Sequence, residues 1–236
     1  MNRFYKDVTT GPAIGGGFVV LLDARPIRTP LKSLMVAPTE SLARQVANEW
    51  AAQGDVISAQ TMPLTQFLTT AIDRIVLRAE LTDEILRYLD GDLLCYRAGE
   101  PETLAAEQDK IWNPWLQWFA DQYGVELQTT FALSRLDQPP AAHQAVAKTV
   151  RGLDDHTFTV LQALVPLTGS MVLALAFIAG AITPEETLAA ALCEELFYER
   201  IHDLARHGLD PTEEKRRASL ARDLAAARAY LTATRS

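Results

Sequence analysis

The chain has 236 residues, 48% hydrophobic and 22% charged, enough to bury a core as one large domain or two small ones. Its net charge of −8 opposes nonspecific association with nucleic acid or anionic lipid. Two distant cysteines, Cys95 and Cys193, fit no zinc or redox spacing and read as buried thiols.

The opening residues, Met1-Asn-Arg-Phe-Tyr-Lys-Asp7, carry neither an apolar signal core nor an Arg/Ser-rich transit pattern, so the expected compartment is the cytoplasm. Residues 3–9 alternate polar with apolar or aromatic side chains and predict a strand. A turn at Gly15-Gly-Gly17 precedes a second strand over 18–23. Short strands are expected at 26–30 and 33–36, with a hairpin turn at Asp23-Ala-Arg-Pro26. No lysine-serine pair or helix start follows the glycine triplet, so it reads as a turn rather than a phosphate loop.

From Thr39 onward the pattern is helical. Thr39 caps a helix expected to run to about Gln53, with Leu42, Val46 and Trp50 on one stripe. Further helices are predicted over 62–75, with Pro63 in the first turn, over 82–89, and over 102–124, where Asn113-Pro114 should kink or restart the helix. Residues 157–183 carry no charge, a length that could span a bilayer. Gln162, Pro166, Gly169, Ser170 and Gly180 interrupt them, however. The apolar run 171–178 therefore reads as a short helix buried on all sides, without membrane insertion. Thr183-Pro-Glu-Glu186 and Asp210-Pro-Thr-Glu213 have the form of capping boxes. The first starts a helix expected to reach His207, with Glu195, Glu199 and Asp203 on one face and Cys193, Phe197, Ile201 and Leu204 on the other. The fold class is α+β: a small β-rich N-terminal domain with one helix, residues 1–58, then an α-helical domain, residues 59–236.

Anchoring residues outnumber catalytic ones. Three of four tryptophans fall at Trp112, Trp115 and Trp118, three-residue steps that place them along one side of a helix. There they fill a core or anchor an interface. No Walker loop, dinucleotide fingerprint, nucleophile elbow or zinc-protease motif is present. The histidines, His143, His156, His202 and His207, read as surface residues, and no metal site or cofactor is expected. The best enzyme candidate is Asp90-Gly-Asp92-Leu-Leu-Cys95, two carboxylates and a thiol that could serve a small hydrolase or transferase. No histidine close in sequence activates the thiol, and the competing reading is a helix-ending turn. The acidic stripe Glu195, Glu199, Asp203 is either a solvated helix face or a docking surface for a basic partner.

Several motifs occur in one order: Arg3-Phe-Tyr-Lys6, Leu22-Asp-Ala-Arg-Pro-Ile-Arg-Thr-Pro30, Met62-Pro-Leu-Thr65, Thr70-Ala-Ile-Asp73, Asp92-Leu-Leu-Cys-Tyr-Arg97, Gln108, Trp112-Asn-Pro-Trp115-Leu-Gln-Trp118 and Leu167-Thr-Gly-Ser-Met-Val-Leu-Ala-Leu-Ala176. Together they resemble the assembly chaperones for the alpha subunit of the ATP synthase catalytic sector. That resemblance implies a β-rich N-terminal region before a helical one. It also implies a non-enzymatic function: holding the unassembled alpha subunit as client until the beta subunit displaces the chaperone. The family's critical glutamate lies in an acidic pair before an aromatic residue, which places it at Glu195 in Glu194-Glu195-Leu-Phe197. Tyr198 stands where the family has glutamine, and His207-Gly208 where it has Trp-Gly. The resemblance thus assigns Glu195; with the acidic face and the tryptophan run, the expected partner-binding residues are Glu195, Glu194, Glu199, Asp203, Trp115 and Trp118.

Overall fold

The computed structural model describes residues 1–201 and 211–236. The chain divides into two compact units. One comprises Met1–Arg78, Asp154–Val160 and Ala225–Ser236; the other comprises Ala79–Leu153 and Leu161–Leu224. A small antiparallel sheet followed by many helices makes the fold α+β, as the sequence pattern predicts.

In the first unit, strands β1 (Val8–Pro12) and β2 (Phe18–Leu22) pair antiparallel from Val8↔Leu22 to Pro12↔Phe18. The opposite edge of β2 is shared by β3 (Arg25–Pro26) at Leu21 and Leu22 and by β4 (Val36–Ala37) at Phe18 and Val19. The first strand starts later than its alternation suggests. Residues ahead of it pair instead with the segment after the first helix: Asn2 bridges Val56, and the Arg3 N–H donates to the Asp55 carbonyl at 2.8 Å. The Arg3 guanidinium donates to the Tyr5 carbonyl at 3.2 Å and to the Gln53 carbonyl at 2.5 Å, adding to that pairing. The expected hairpin turn does form between β2 and β3, with Asp23 (φ 48°) and Ala24 (φ 64°) in left-handed conformations. Such two-residue turns suit the twist of the strands they join. The Asp23 carboxylate accepts the N–H groups of Lys6 and Asp7 at 3.0 and 2.9 Å. Those two bonds hold its pKa below the ordinary carboxylate value. Gly17 (φ 78°) admits no side chain, because a Cβ there would sit 2.7 Å from the Ala37 carbonyl oxygen.

Helix α1 (Glu40–Ala51) begins at Thr39, whose hydroxyl accepts the Leu42 N–H at 3.1 Å. It buries Leu42, Ala43, Val46 and Ala47 against β1 and β2. Helix α2 (Pro63–Asp73) has proline in its first turn. Its free N–H groups are taken up by Glu49, whose carboxylate accepts from Leu64 N (2.7 Å), Thr65 N (2.8 Å) and the Thr65 hydroxyl (2.7 Å). Burial nonetheless outweighs these bonds and raises the Glu49 pKa. At the other end of α2, Asp73 accepts the Thr29 hydroxyl at 2.6 Å and the Leu31 N–H at 3.2 Å, fastening the loop after β3. Tyr230 is fully buried near Phe67, its hydroxyl 2.7 Å from His156 Nδ1. His156 is thus a half-buried, hydrogen-bonded residue rather than a surface one.

The second unit holds most of α3 (Arg78–Leu86), which runs into a 3-10 turn at Arg87–Leu89. It continues with α4 (Glu102–Tyr123), α5 (Pro140–Gly152), the later turns of α6 (Asp155–Thr168), α7 (Met171–Ala179), α8 (Pro184–Ala191), α9 (Cys193–Ile201) and the earlier part of α10 (Pro211–Thr234). Every residue of α7 from Met171 to Ile178 is buried, as an all-apolar helix requires in water. Among the described residues no helix is long and apolar enough to cross a membrane. The break before α7 is narrower than its sequence suggests: Pro166 lies inside α6, and Gly169 (φ 68°) with Ser170 makes the turn.

Two helices depart from expectation. Helix α4 passes through Pro114 without restarting. A mid-helix proline costs about 3 kcal/mol, but fully buried Trp112 and Phe119 hold the helix on both sides of it. Lys110, whose carbonyl loses its donor, is exposed and open to water. The helix expected to run on from Pro184 is interrupted at Leu192, which leaves helical geometry at φ −107°, ψ 20°. The Leu192 N–H still reaches the Leu188 carbonyl, and its own carbonyl still receives the Leu196 N–H. Helix α8 therefore ends and α9 begins with almost no loop. The Thr183 capping box is complete, with Glu186 accepting the Thr183 N–H at 2.9 Å. The second predicted box begins at Asp210, outside the described residues.

Candidate functional site

Polar contacts from the Asp92–Arg97 segment and from α4 position the starts of α7 and α9. The Asp92 carboxylate is fully buried and accepts the Ser170 hydroxyl (2.8 Å), Leu94 N (3.0 Å) and Val172 N (2.9 Å), closing the N-terminus of α7. Burial pushes its pKa up to about 6 despite those bonds. A few residues on, the Arg97 side chain lies over the Trp112 ring and donates to the Leu94 carbonyl at 2.8 Å and Asn113 Oδ1 at 2.7 Å. Trp112 donates its indole N–H to the Ala190 carbonyl at 2.8 Å, tying α4 to the end of α8. Gln108, also fully buried, accepts the Ala98 N–H at 2.8 Å and donates to Glu194 at 2.7 Å. The Asp-Leu-Leu-Cys-Tyr-Arg block thus holds the start of α7, while Gln108 and Trp112 of α4 hold the start of α9 and the end of α8.

The acidic residues of α9 have different surroundings. Glu194 is half-buried on Gln108. Glu199 is held in an ion pair with Arg217 of α10, both side chains below 20% exposed. Arg217 also reaches Glu213 at 2.8 Å. Glu195 is open, its side chain 44% exposed, and among the described residues its ion-pair contact is 3.4 Å to Arg216. Arg216 is already engaged by both Glu213 oxygens at 2.7 and 2.8 Å, and Arg216 with Arg217 draws the Glu213 pKa down to about 2. The expected stripe is thus partly neutralised from within, and Glu195 is the carboxylate with most freedom to change partner. Asp203 lies outside the described residues, as do His202 and His207.

Two apolar side chains missing from the sequence-derived site stand close to Glu195 in the chain. Tyr198 is 41% exposed, and Ile201, expected on the buried face, is 55% exposed. Cys193 and Phe197 turn inward, whereas Ile201, at the last residue of α9, is exposed. Arg200 ties the helix back to Glu107 of α4 at 2.8 Å. Trp115 and Trp118 are each half-buried on α4, while Trp112 belongs wholly to the core.

The candidate acid–base cluster does not assemble as a nucleophile with its base. Cys95 is buried, and burial together with the Asp92 charge pushes its thiol well above the usual range, which disfavours the reactive thiolate. Asp90 faces other groups: His143 Nε2 at 2.7 Å, Gln138 N at 3.0 Å and Arg135 at 3.0 Å. Burial raises its pKa, but the Gln138 N–H and His143 outweigh that and leave it lowered. The Asp90–His143 pair spans 53 residues and has no signal in the local sequence. Among the described residues no cluster of His, Cys, Asp or Glu could hold a metal ion.

Residues 2–120 match the family described as ATP12 chaperone protein. The crystal structure of Atp12 from Paracoccus denitrificans superposes with a TM-score of 0.87 at 33% identity, covering 99% of this chain and 98% of that one. A chaperone candidate from Agrobacterium tumefaciens gives 0.90 at 38% identity over 98% and 85% of the two chains. An Asp-to-Lys mutant of the P. denitrificans protein gives 0.86 at 33% over 99% and 97%. The match in sequence family and the near full-length likeness in structure agree: this chain belongs to the ATP12 chaperone family.

Proposed function

We propose that this protein is a non-enzymatic, cytoplasmic assembly chaperone that binds the unassembled alpha subunit of ATP synthase and gives it up to the beta subunit. A subunit built for an alternating ring carries broad apolar interfaces that stay bare until its neighbours arrive, and bare interfaces aggregate. Covering one of them needs a rigid, part-apolar, part-charged surface, not a reactive centre. The observation that carries the reading is the contrast on α9: Glu195 exposed with Tyr198 and Ile201, on a helix fastened through Gln108–Glu194, Glu107–Arg200 and Arg217–Glu199. An exposed pair such as Glu195–Arg216 contributes at most about 1 kcal/mol, so exchanging Arg216 for a basic group on the client costs little. In this reading Glu194 and Glu199 hold the helix, Asp203 extends the acidic face, and Trp115 and Trp118 supply apolar area. Release follows when the beta subunit competes for the same interface at higher affinity or local concentration.

The test is size-exclusion chromatography with light scattering on the protein mixed with separately produced alpha subunit. A one-to-one complex should form, suppress alpha aggregation and dissociate when beta is added. Glu195→Lys should weaken capture about tenfold or more while leaving the thermal transition in place. Undiminished capture by a well-folded Glu195→Lys protein would take Glu195 out of the interface.

A further inference from the structure

The first unit carries a groove of about 580 Å³ between the N-terminal segment and the β3 region. That volume is typical of ligand-binding clefts. Its floor and one wall are apolar or aromatic: Leu22, Ile27 and Tyr5 are buried, Trp50 is half-buried, and Phe4 remains 64% exposed. Its rim is basic, with Arg25 and Arg28 both exposed. The Arg28 guanidinium donates to a backbone carbonyl, that of Lys32, at 2.8 Å. The one carboxylate at the groove, Asp23, is occupied by the Lys6 and Asp7 N–H groups.

Charge is distributed unevenly along the chain. The first unit has ten basic and eight acidic residues, net +2, and the second has twelve basic and twenty-two acidic, net −10. A positive rim on the one basic unit of an acidic protein selects negative ligands and repels positive ones. The walls favour an extended chain over a compact ion: residues 1–5 are fixed by bonds to residues 53–57, β3 is an edge strand, and together they flank the groove. Aromatic and aliphatic surface beside cations suits alternating apolar and acidic side chains.

We propose that this groove is a polypeptide-binding site for an extended stretch rich in acidic and apolar residues, offered by the client before it is assembled. Only the identity of the client rests on the chaperone reading above. Phe4 and Trp50 receive the apolar side chains, and Arg25 and Arg28 pair with the carboxylates.

The probe is a fluorescein-labelled, capped nonapeptide alternating Asp or Glu with Leu or Phe, titrated by anisotropy into the full-length protein. A counterpart with lysine at every acidic position is the control. The acidic peptide should bind saturably and the lysine peptide should not. Arg25→Glu combined with Arg28→Glu, both surface changes, should cost about tenfold or more in affinity. Glu195→Lys should bind the peptide like the unmodified protein. Equal binding of the two peptides, or full affinity in the double variant, overturns the proposal. So does saturable binding of inorganic phosphate with no peptide binding, which would mark a small-anion site. A second arm measures capture of the alpha subunit. If the peptide discriminates but alpha is never captured, the chaperone reading fails and the groove stands as a peptide site. If alpha is captured equally well with and without the two arginines, the groove does not serve that client and the proposal fails.

Discussion

Asp92 shows how little a residue's type says about its use. In the sequence it sits beside Asp90 and Cys95 as a candidate acid; in the fold it is a buried cap for the first turn of α7. Asp92→Ala strands the Val172 and Leu94 N–H groups in the interior, and should lower unfolding stability by about 3 kcal/mol in urea denaturation. The pH dependence separates burial from hydrogen bonding. A folded pKa of about 6 lies above the unfolded value near 4, so the folded chain holds an extra proton between those limits. The carboxyl's contribution to stability is therefore fullest below about pH 4 and is lost as pH rises through about 6. Measured against Asp92→Asn, which has no proton to lose, the native protein should gain roughly 2 kcal/mol on going from pH 7 to pH 4. A pH-independent difference between the two would mean that folding leaves the Asp92 pKa where it is in the unfolded chain. The Asp90–His143 contact was not legible in advance, because its partners are brought together by helix packing rather than by spacing.

At the scale of elements, ends were easier to read than continuity. Thr39 and Thr183 marked helix starts because capping is local: a hydroxyl and an N–H three residues on. The passage of α4 through Pro114 and the interruption at Leu192 depend on buried neighbours far along the chain. The same holds for the acidic stripe of α9, whose answering arginines, Arg216 and Arg217, lie on another helix. Arg217→Met should therefore act on the helix pair. With Glu199 mostly buried and unmatched, about 2 kcal/mol of stability should be lost. Amide exchange in α9 should quicken while α7 stays protected; unchanged exchange in α9 would show that apolar contacts alone hold it.

For the whole molecule, the separation of charge into net +2 and net −10 units bears on how the client arrives. Attraction between complementary fields raises encounter rates and is screened by salt. Association with the alpha subunit should slow about tenfold between about 50 mM and about 500 mM salt, followed by stopped-flow fluorescence, with dissociation changing much less. A salt-insensitive rate would leave steering out of the account. What the sequence determined by itself is whatever rests on short range: fold class from the change of periodicity, helix starts from capping residues, the buried α7 from its unbroken apolar run, and family membership from ordered motifs. What only the tertiary structure decided is the use of each polar side chain: Asp92 and Gln108 spent on architecture, Glu199 locked against Arg217, Glu195 left open near Tyr198 and Ile201. A carboxylate's role is set by burial and by which charges surround it, and those neighbours come from remote parts of the chain.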